Sequence, residues 1–123
     1  MPKSLWPDFD IGQVLSSPKT VIEQAGDGLR EKTGGLLEFF RVNLLIQQNI
    51  VEATYTLFSP KLRYHYPFLR AQFPVVSGYP VTVTADKMTD VVAKDETELI
   101  ASLAKIFNAP TTVDTIQRLM SLQ

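Results

Sequence analysis

The amino-acid sequence predicts an α+β fold: an N-terminal helix, a four-stranded antiparallel meander and two C-terminal helices packed on one face of the sheet. Two observations lead to this prediction. Residues 36–85 contain four short apolar runs separated by turn residues, which is typical of antiparallel strands. The segments on both sides of these runs place apolar residues at helical spacing. Because 123 residues is a common domain size, we expect residues 1–123 to form a single domain.

Residues 1–16 are predicted to form an irregular N-terminal arm. Pro2 and Pro7 interrupt regular structure there, and Trp6 and Phe9 are among its scattered apolar side chains. We expect these side chains to cover an edge of the core.

Residues 17–33 are predicted to form the first helix. Ser17 followed by Pro18 matches the preferences for the N-cap and the first helical position. Gly26 and Gly28 each cost about 1 kcal/mol relative to alanine inside a helix. The helix therefore either packs tightly at these glycines or breaks.

The segment GDGLREKT, residues 26–33, resembles a phosphate-binding P-loop only superficially. Glu31 stands where that loop needs its second glycine, and a glutamate there repels phosphate. Gly34 and Gly35 are instead typical of a helix C-cap followed by a turn.

The strand region spans residues 36–85. Its last run alternates plainly, with Val81 and Val83 on one face and Thr82 and Thr84 on the other. The four predicted strands lie within residues 36–46, 50–58, 62–73 and 79–85. A further short strand is possible at residues 91–93.

Residues 95–121 are predicted to form the two C-terminal helices. Asp95 and Glu98 have capping-box spacing ahead of an apolar stripe. A second helix restarts at Pro110 or at the two threonines after it, and the short connection should make the helices neighbours.

Residues 17–121 resemble a family of small bacterial α+β domains with no assigned activity. The resemblance depends on capping, turn and periodicity residues in SPKTVIEQAGDGLREKTGGLL, YTLFSPKL, YPVTV and DETELIASLAKIF. Its recognisable points are Gln24, Ala25, Leu29, Thr33 and Gly35. The resemblance implies no catalytic residue.

The composition excludes several classes of function. The chain has no cysteine and one histidine, which excludes disulfides and leaves almost no zinc chemistry, so we expect no cofactor or metal. A formal charge of -1 gives no global field for capturing nucleic acid or an anionic membrane. Without a secretory signal or a long apolar run, we expect a cytoplasmic protein with no membrane partner.

The predicted strand LLEFFRVNLLI, residues 36–46, is apolar on both faces, so some cover is required on each side. This cover could come from the N-terminal arm or from a second copy of the chain. We favour the second copy, packed sheet against sheet in a symmetric homodimer. We expect a non-enzymatic interaction or accessory module whose partner is a second copy of itself or another protein. The residues predicted to make the contact are Phe39, Phe40, Leu44 and Tyr55.

The segment KLRYHYPFLRAQF, residues 61–73, gives a second hypothesis. No acidic residue occurs between Glu52 and Asp86, so this strand offers a local positive surface for a weak nucleic-acid binder. The residues that would bind are Lys61, Arg63, Tyr64, His65 and Arg70. The structural alternative is that these charges and Pro67 protect a sheet edge, and Pro67 indicates an edge, a bulge or a break.

A third hypothesis is an enzyme built around His65. Catalysis by histidine needs a positioned partner and an orienting group. The sequence offers only Glu52, if the register of the sheet places it opposite His65 across a strand pair.

Overall fold

The computed structural model describes residues 4–9 and 16–123 of the chain. The helices are α1 (Pro18–Gly26), α2 (Leu29–Lys32), α3 (Glu96–Phe107) and α4 (Pro110–Ser121). The strands are β1 (Glu38–Gln47), β2 (Ile50–Ser59), β3 (Tyr64–Pro74), β4 (Val81–Ala85) and β5 (Val91–Ala93). The predicted α+β class and antiparallel meander are confirmed. The strand number of four is wrong, because residues 91–93 add a fifth strand beside β4.

Every strand of the sheet pairs antiparallel with its neighbour in sequence, in the order β1-β2-β3-β4-β5. The β1–β2 connection has only two residues, Gln48 and Asn49, both with positive φ. Two consecutive residues of this conformation form the type I′ turn, whose twist matches that of a hairpin. The two edges of the sheet are therefore β1 and β5.

The predicted first helix breaks after Gly26. The side chain of Ser17 caps α1 by accepting a hydrogen bond from the backbone of Thr20, as its position predicts. Gly26 lies against the ring of Phe39 with no room for a side chain. Both alternatives raised by the glycines therefore occur, tight packing at Gly26 and a break before the single turn of α2.

The two C-terminal helices begin where their capping residues predict. Asp95 accepts a hydrogen bond of 2.8 Å from the backbone N–H of Glu98, whose carboxylate accepts one from Lys94 N–H. Helix α4 begins at Pro110. The hydroxyl of Thr112 donates 2.7 Å to the carbonyl of Ile106, which ties the helices together.

Helices α1, α3 and α4 bury their apolar faces against one side of the sheet, which we call the covered face. The alternation in β2 defines it: Val51, Ala53 and Tyr55 are buried, while Glu52 and Thr54 between them are partly exposed on the other side, the open face. Other core residues are Ile22, Leu37, Leu57, Leu69, Ala71, Val81, Val83, Leu99, Leu103 and Leu119.

The described part of the N-terminal arm, residues 4–9, does not cover the core. Leu5, Trp6 and Phe9 are all exposed, Trp6 by 78%. The prediction that the arm covers a core edge is therefore wrong for these side chains. Most of the remaining arm lies outside the described residues.

Candidate functional site

Strand β1 leaves a row of apolar side chains uncovered. All residues from Val42 to Ile50 are exposed, and Ile46 is exposed by 61%. We define the β1 patch as the exposed apolar side chains Phe40, Val42, Leu44, Leu45 and Ile46. A contiguous apolar surface of this kind marks an interaction site more often than a scattered apolar residue does.

A β-bulge distributes the β1 patch over both faces of the sheet. The register of β1 against β2 shifts between Arg41 and Asn43, so Val42 has no partner. Beyond the bulge, Leu44 and Ile46 lie opposite buried covered-face residues of β2, whereas Leu45 lies opposite Glu52 on the open face. The patch therefore surrounds the free edge of β1.

Two of the four predicted contact residues lie in the core instead. The rings of Phe39 and Tyr55 stack with centroids 4.9 Å apart, and Phe39 also meets Phe107 of α3 edge to face. Tyr55 is fully buried, so neither its ring nor the stacked side of Phe39 is available to a partner. Phe40 and Leu44 are the two predicted contact residues on the surface.

An aromatic cluster occupies the open face at the other end of β1. Phe58 and His65 stack with ring centroids 4.3 Å apart, and Phe40 meets both rings at 5.2–5.5 Å. A pair of phenylalanine rings such as Phe40 and Phe58 contributes about 0.5–1.5 kcal/mol beyond its buried area. The sequence alone does not predict this cluster, because only the strand register brings Phe40 and Phe58 beside His65.

The basic residues predicted for nucleic-acid binding do not form one surface. Lys61 and Arg63 are exposed near the β2–β3 turn, with Tyr64 next to them. Arg70 lies farther along the open face, where Glu52 holds it at 3.9 Å and also accepts a hydrogen bond from Gln72. Because Glu52 offsets its charge, Arg70 adds little to a positive surface.

Pro67 lies at a β-bulge, one of the three alternatives that the sequence left open. The register of β2 against β3 shifts so that Phe68 has no partner, and this ring turns into the core. Strand β3 is central rather than an edge, but β4 pairs only with residues 69–72 of it. Pro67 therefore occupies a stretch of β3 where no ladder bond to β4 is needed.

His65 lies beside a hydroxyl group, and Glu52 lies elsewhere on the sheet. Its Nδ1 lies 2.8 Å from the hydroxyl of Thr56, which is almost fully buried. The placement of Glu52 opposite His65 is wrong, because His65 pairs with Phe58 and Glu52 pairs with Gln72. Among the described residues, no salt bridge joins a carboxylate to this imidazole.

An ionic cluster attaches α1 to the first two strands. The carboxylate of Glu23 accepts a hydrogen bond of 3.1 Å from the Tyr55 hydroxyl and lies 3.5 Å from the Arg41 guanidinium. Lys19 approaches its other oxygen at 3.4 Å. Burial, with Glu23 as a second cause, raises the pKa of Tyr55 well above its ordinary value.

Tyr66 has a similar arrangement on β3. Its hydroxyl donates a 2.6 Å hydrogen bond to Asp86, and this bond, with some desolvation, raises the pKa of Tyr66 from 10.0 to about 12. The pKa of Tyr66 is therefore higher in the folded protein than in the unfolded chain. The hydrogen bond to Asp86 stabilises the fold fully below pH 10.0, and this stabilisation is lost as the pH rises towards 12.

We expect Asp86→Asn to move the ionisation of Tyr66 to lower pH, because the hydrogen bond to a charged acceptor is lost. The measurement is an alkaline titration of the folded protein followed by tyrosinate absorbance. Asp90→Asn is the control, since Asp90 is exposed and the hydrogen bond of Tyr66 goes to Asp86. Identical titration curves for both variants would contradict the assignment.

Within residues 4–9 and 16–123, no group of three or more histidine, aspartate or glutamate side chains is placed to hold a metal ion. None of the helices in the described part of the chain is long and apolar enough to cross a membrane.

A depression of about 220 Å³ on the open face, lined by Leu45, Ile50, Glu52 and Gln72, is open to solvent.

Fold and site together define an α+β protein with helices on one sheet face and an uncovered apolar edge strand. Comparisons with protein-family models, with curated proteins and with solved structures found no match for this chain. The resemblance to small bacterial α+β domains therefore stays a prediction.

Proposed function

We propose that this chain is a non-enzymatic protein-interaction module that holds a protein partner through the β1 patch. The observation that supports the proposal is the exposure of apolar side chains on both faces of a ten-residue edge strand. An edge strand offers unpaired backbone groups to a partner strand, and the apolar side chains beside it add buried area. Phe40 and Leu44, two of the residues predicted from the sequence, belong to this patch.

The chemistry of the patch favours an apolar partner. No charged residue occurs from Val42 to Val51, so the surface carries no formal charge at the end of β1. Association that depends on burying apolar area resists added salt, whereas association through exposed ion pairs weakens with it.

Ile46→Asp is expected to abolish partner binding, because a carboxylate on the β1 patch would lose its hydration on association. Val92→Asp is the matched control: Val92 is exposed by 56% on β5, the opposite edge of the same sheet. The measurement is retention of proteins from the source lysate by each tagged variant at low and high salt.

We expect the wild-type protein and Val92→Asp to retain the same proteins at high salt, and Ile46→Asp to lose them. Both substitutions are at exposed strand positions, so similar melting temperatures would show that folding is unaffected. Equal retention by the two variants would count against the β1 patch as the binding surface.

Nucleic-acid binding is the second candidate, and the aromatic cluster favours it. Phe40, Phe58 and His65 form a ring surface on the open face, and Phe58 and His65 are on the two strands that flank the turn carrying Lys61 and Arg63. Bases stack on such rings while cations hold phosphates. Because few cations take part, we place it second, and nucleic acid released by high salt in the same experiment would favour it.

A further inference from the structure

We propose that the partner of β1 is β1 of a second copy, paired antiparallel across a two-fold axis so that two five-stranded sheets become one ten-stranded sheet. This inference depends on the proposed function, because it identifies the partner of the same patch. An antiparallel pair formed by a strand and its own copy is isologous, and each copy uses the same residues.

The two edges of the sheet differ in the way they are protected. Strand β5 has three residues, and Asp90 precedes it while Lys94 and Asp95 follow it. A short strand among charges is a usual protection against pairing with other chains. Strand β1 has ten residues with no proline and no lysine, so it is the edge that remains open to pairing.

The charges of β1 are already paired within the chain. Arg41 lies 3.5 Å from Glu23 of α1, and Glu38 lies 3.6 Å from Arg30 of α2. These are the only charged residues of the strand. Two copies of β1 can therefore approach without like charges facing one another.

The sequence of β1 beyond the bulge is complementary to itself. The regular stretch, residues 43–47, has Leu45 at its centre. With the two-fold axis at Leu45, this residue faces its own copy, Leu44 faces Ile46, and Asn43 faces Gln47. Aliphatic side chains meet aliphatic ones and amides meet amides, which gives favourable cross-strand pairs. Moving the axis to Asn43 would place Arg41 against Leu45.

The side-chain positions around this axis explain why β1 exposes apolar side chains on both faces of the sheet. Leu44 and Ile46 lie on the side of the covered face, and Leu45 lies on the open face. Packing two open faces together would bury Leu45 but leave Ile46 exposed. Edge pairing places the second copy beside both faces of β1, so it covers Leu44, Leu45 and Ile46.

Cysteine cross-linking tests the arrangement, because the chain contains no cysteine of its own. The purified full chain with Leu45→Cys is treated with a mild oxidant or a short bis-maleimide at micromolar concentration, and covalent dimer is measured. Thr54→Cys reports packing of open faces, since Thr54 lies on that face one strand inward. Val92→Cys reports random collision at the other edge.

We expect Leu45→Cys to cross-link almost completely and the other two variants to cross-link at background level. The uncross-linked wild type should have twice the mass of 13.8 kDa by light scattering, and Leu45→Lys should have the mass of one chain. Efficient cross-linking of Thr54→Cys without Leu45→Cys would overturn edge pairing. So would a single-chain mass for the wild type.

The failure of this inference is distinguishable from the failure of the proposed function. If the wild type is monomeric but its salt-resistant retention of another protein is lost in Ile46→Asp, the β1 patch binds a different partner and self-pairing is overturned. If the wild type is monomeric and Ile46→Asp retains everything that Val92→Asp retains, both proposals are overturned.

Discussion

Gly26→Ala is expected to destabilise the folded chain by about 1–3 kcal/mol, the usual cost of forcing an extra methyl group into a packed core. A β-carbon at Gly26 would overlap the ring of Phe39. That ring cannot move freely, because it stacks on Tyr55 and meets Phe107. The measurement is the free energy of unfolding from denaturant titration.

Gly28→Ala is the matched control for this prediction. Gly28 has a φ of -74° and nothing within 4 Å of the position of an added β-carbon. Alanine there is expected to be neutral or to stabilise the chain by about 0.4–1 kcal/mol, because it restricts the unfolded state. If both variants had the same stability, the close packing of α1 on β1 would not contribute to the fold.

Leu103→Ala is expected to cost about 2–5 kcal/mol, the range for removing a buried leucine and leaving a cavity. Leu103 is buried on the inner side of α3. Ile100→Ala on the same helix is the control, since Ile100 is half exposed and its truncation leaves no enclosed cavity.

Thermal or denaturant unfolding of both α3 variants checks the prediction. A large loss of stability for Leu103→Ala with a small one for Ile100→Ala would show that α3 packs through the expected side. Similar losses would mean that α3 is rotated about its axis relative to the sheet.

Local signals in the sequence predicted most of the helix boundaries. Ser17, Asp95 and Pro110 are at helix starts because each satisfies or removes a backbone N–H that the first turn leaves unpaired. Gly34, the residue after the C-cap of α2, takes a φ of 62°, and the N–H of Gly35 bonds to the carbonyl of Arg30, as a C-terminal cap requires. These features depend only on neighbouring residues, so a single sequence carries them.

The faces of β1 were not predictable from the sequence in the same way. Strict alternation places Leu44 and Ile46 on the same face as Phe40, but the bulge at Val42 moves them to the opposite face. A bulge depends on the pairing with the partner strand, and no residue in β1 indicates where it occurs. The division of Phe39 and Phe40 has another cause: they are consecutive, so they lie on opposite faces without any bulge, and Phe39 is the one that meets Phe107 of α3.

The cluster around His65 shows a further limit. His65 and Tyr66 lie on opposite faces of the sheet, as consecutive strand residues do. Which rings lie beside it depends on the register of three strands, and the pairing of Phe58 with His65 follows from the bulge near Pro67. The chemistry of a site on a sheet therefore depends on long-range pairing that local patterns do not contain.

Helices α3 and α4 follow all five strands in the chain, and they supply a large part of the cover for one side of the sheet. On the ribosome the strands therefore emerge before much of their cover has been synthesised. Because neighbouring strands are consecutive, the meander can form early, with the apolar side chains of its future core still in contact with water. Nascent chains that stop before α3 are the species for which we expect the greatest need of chaperones.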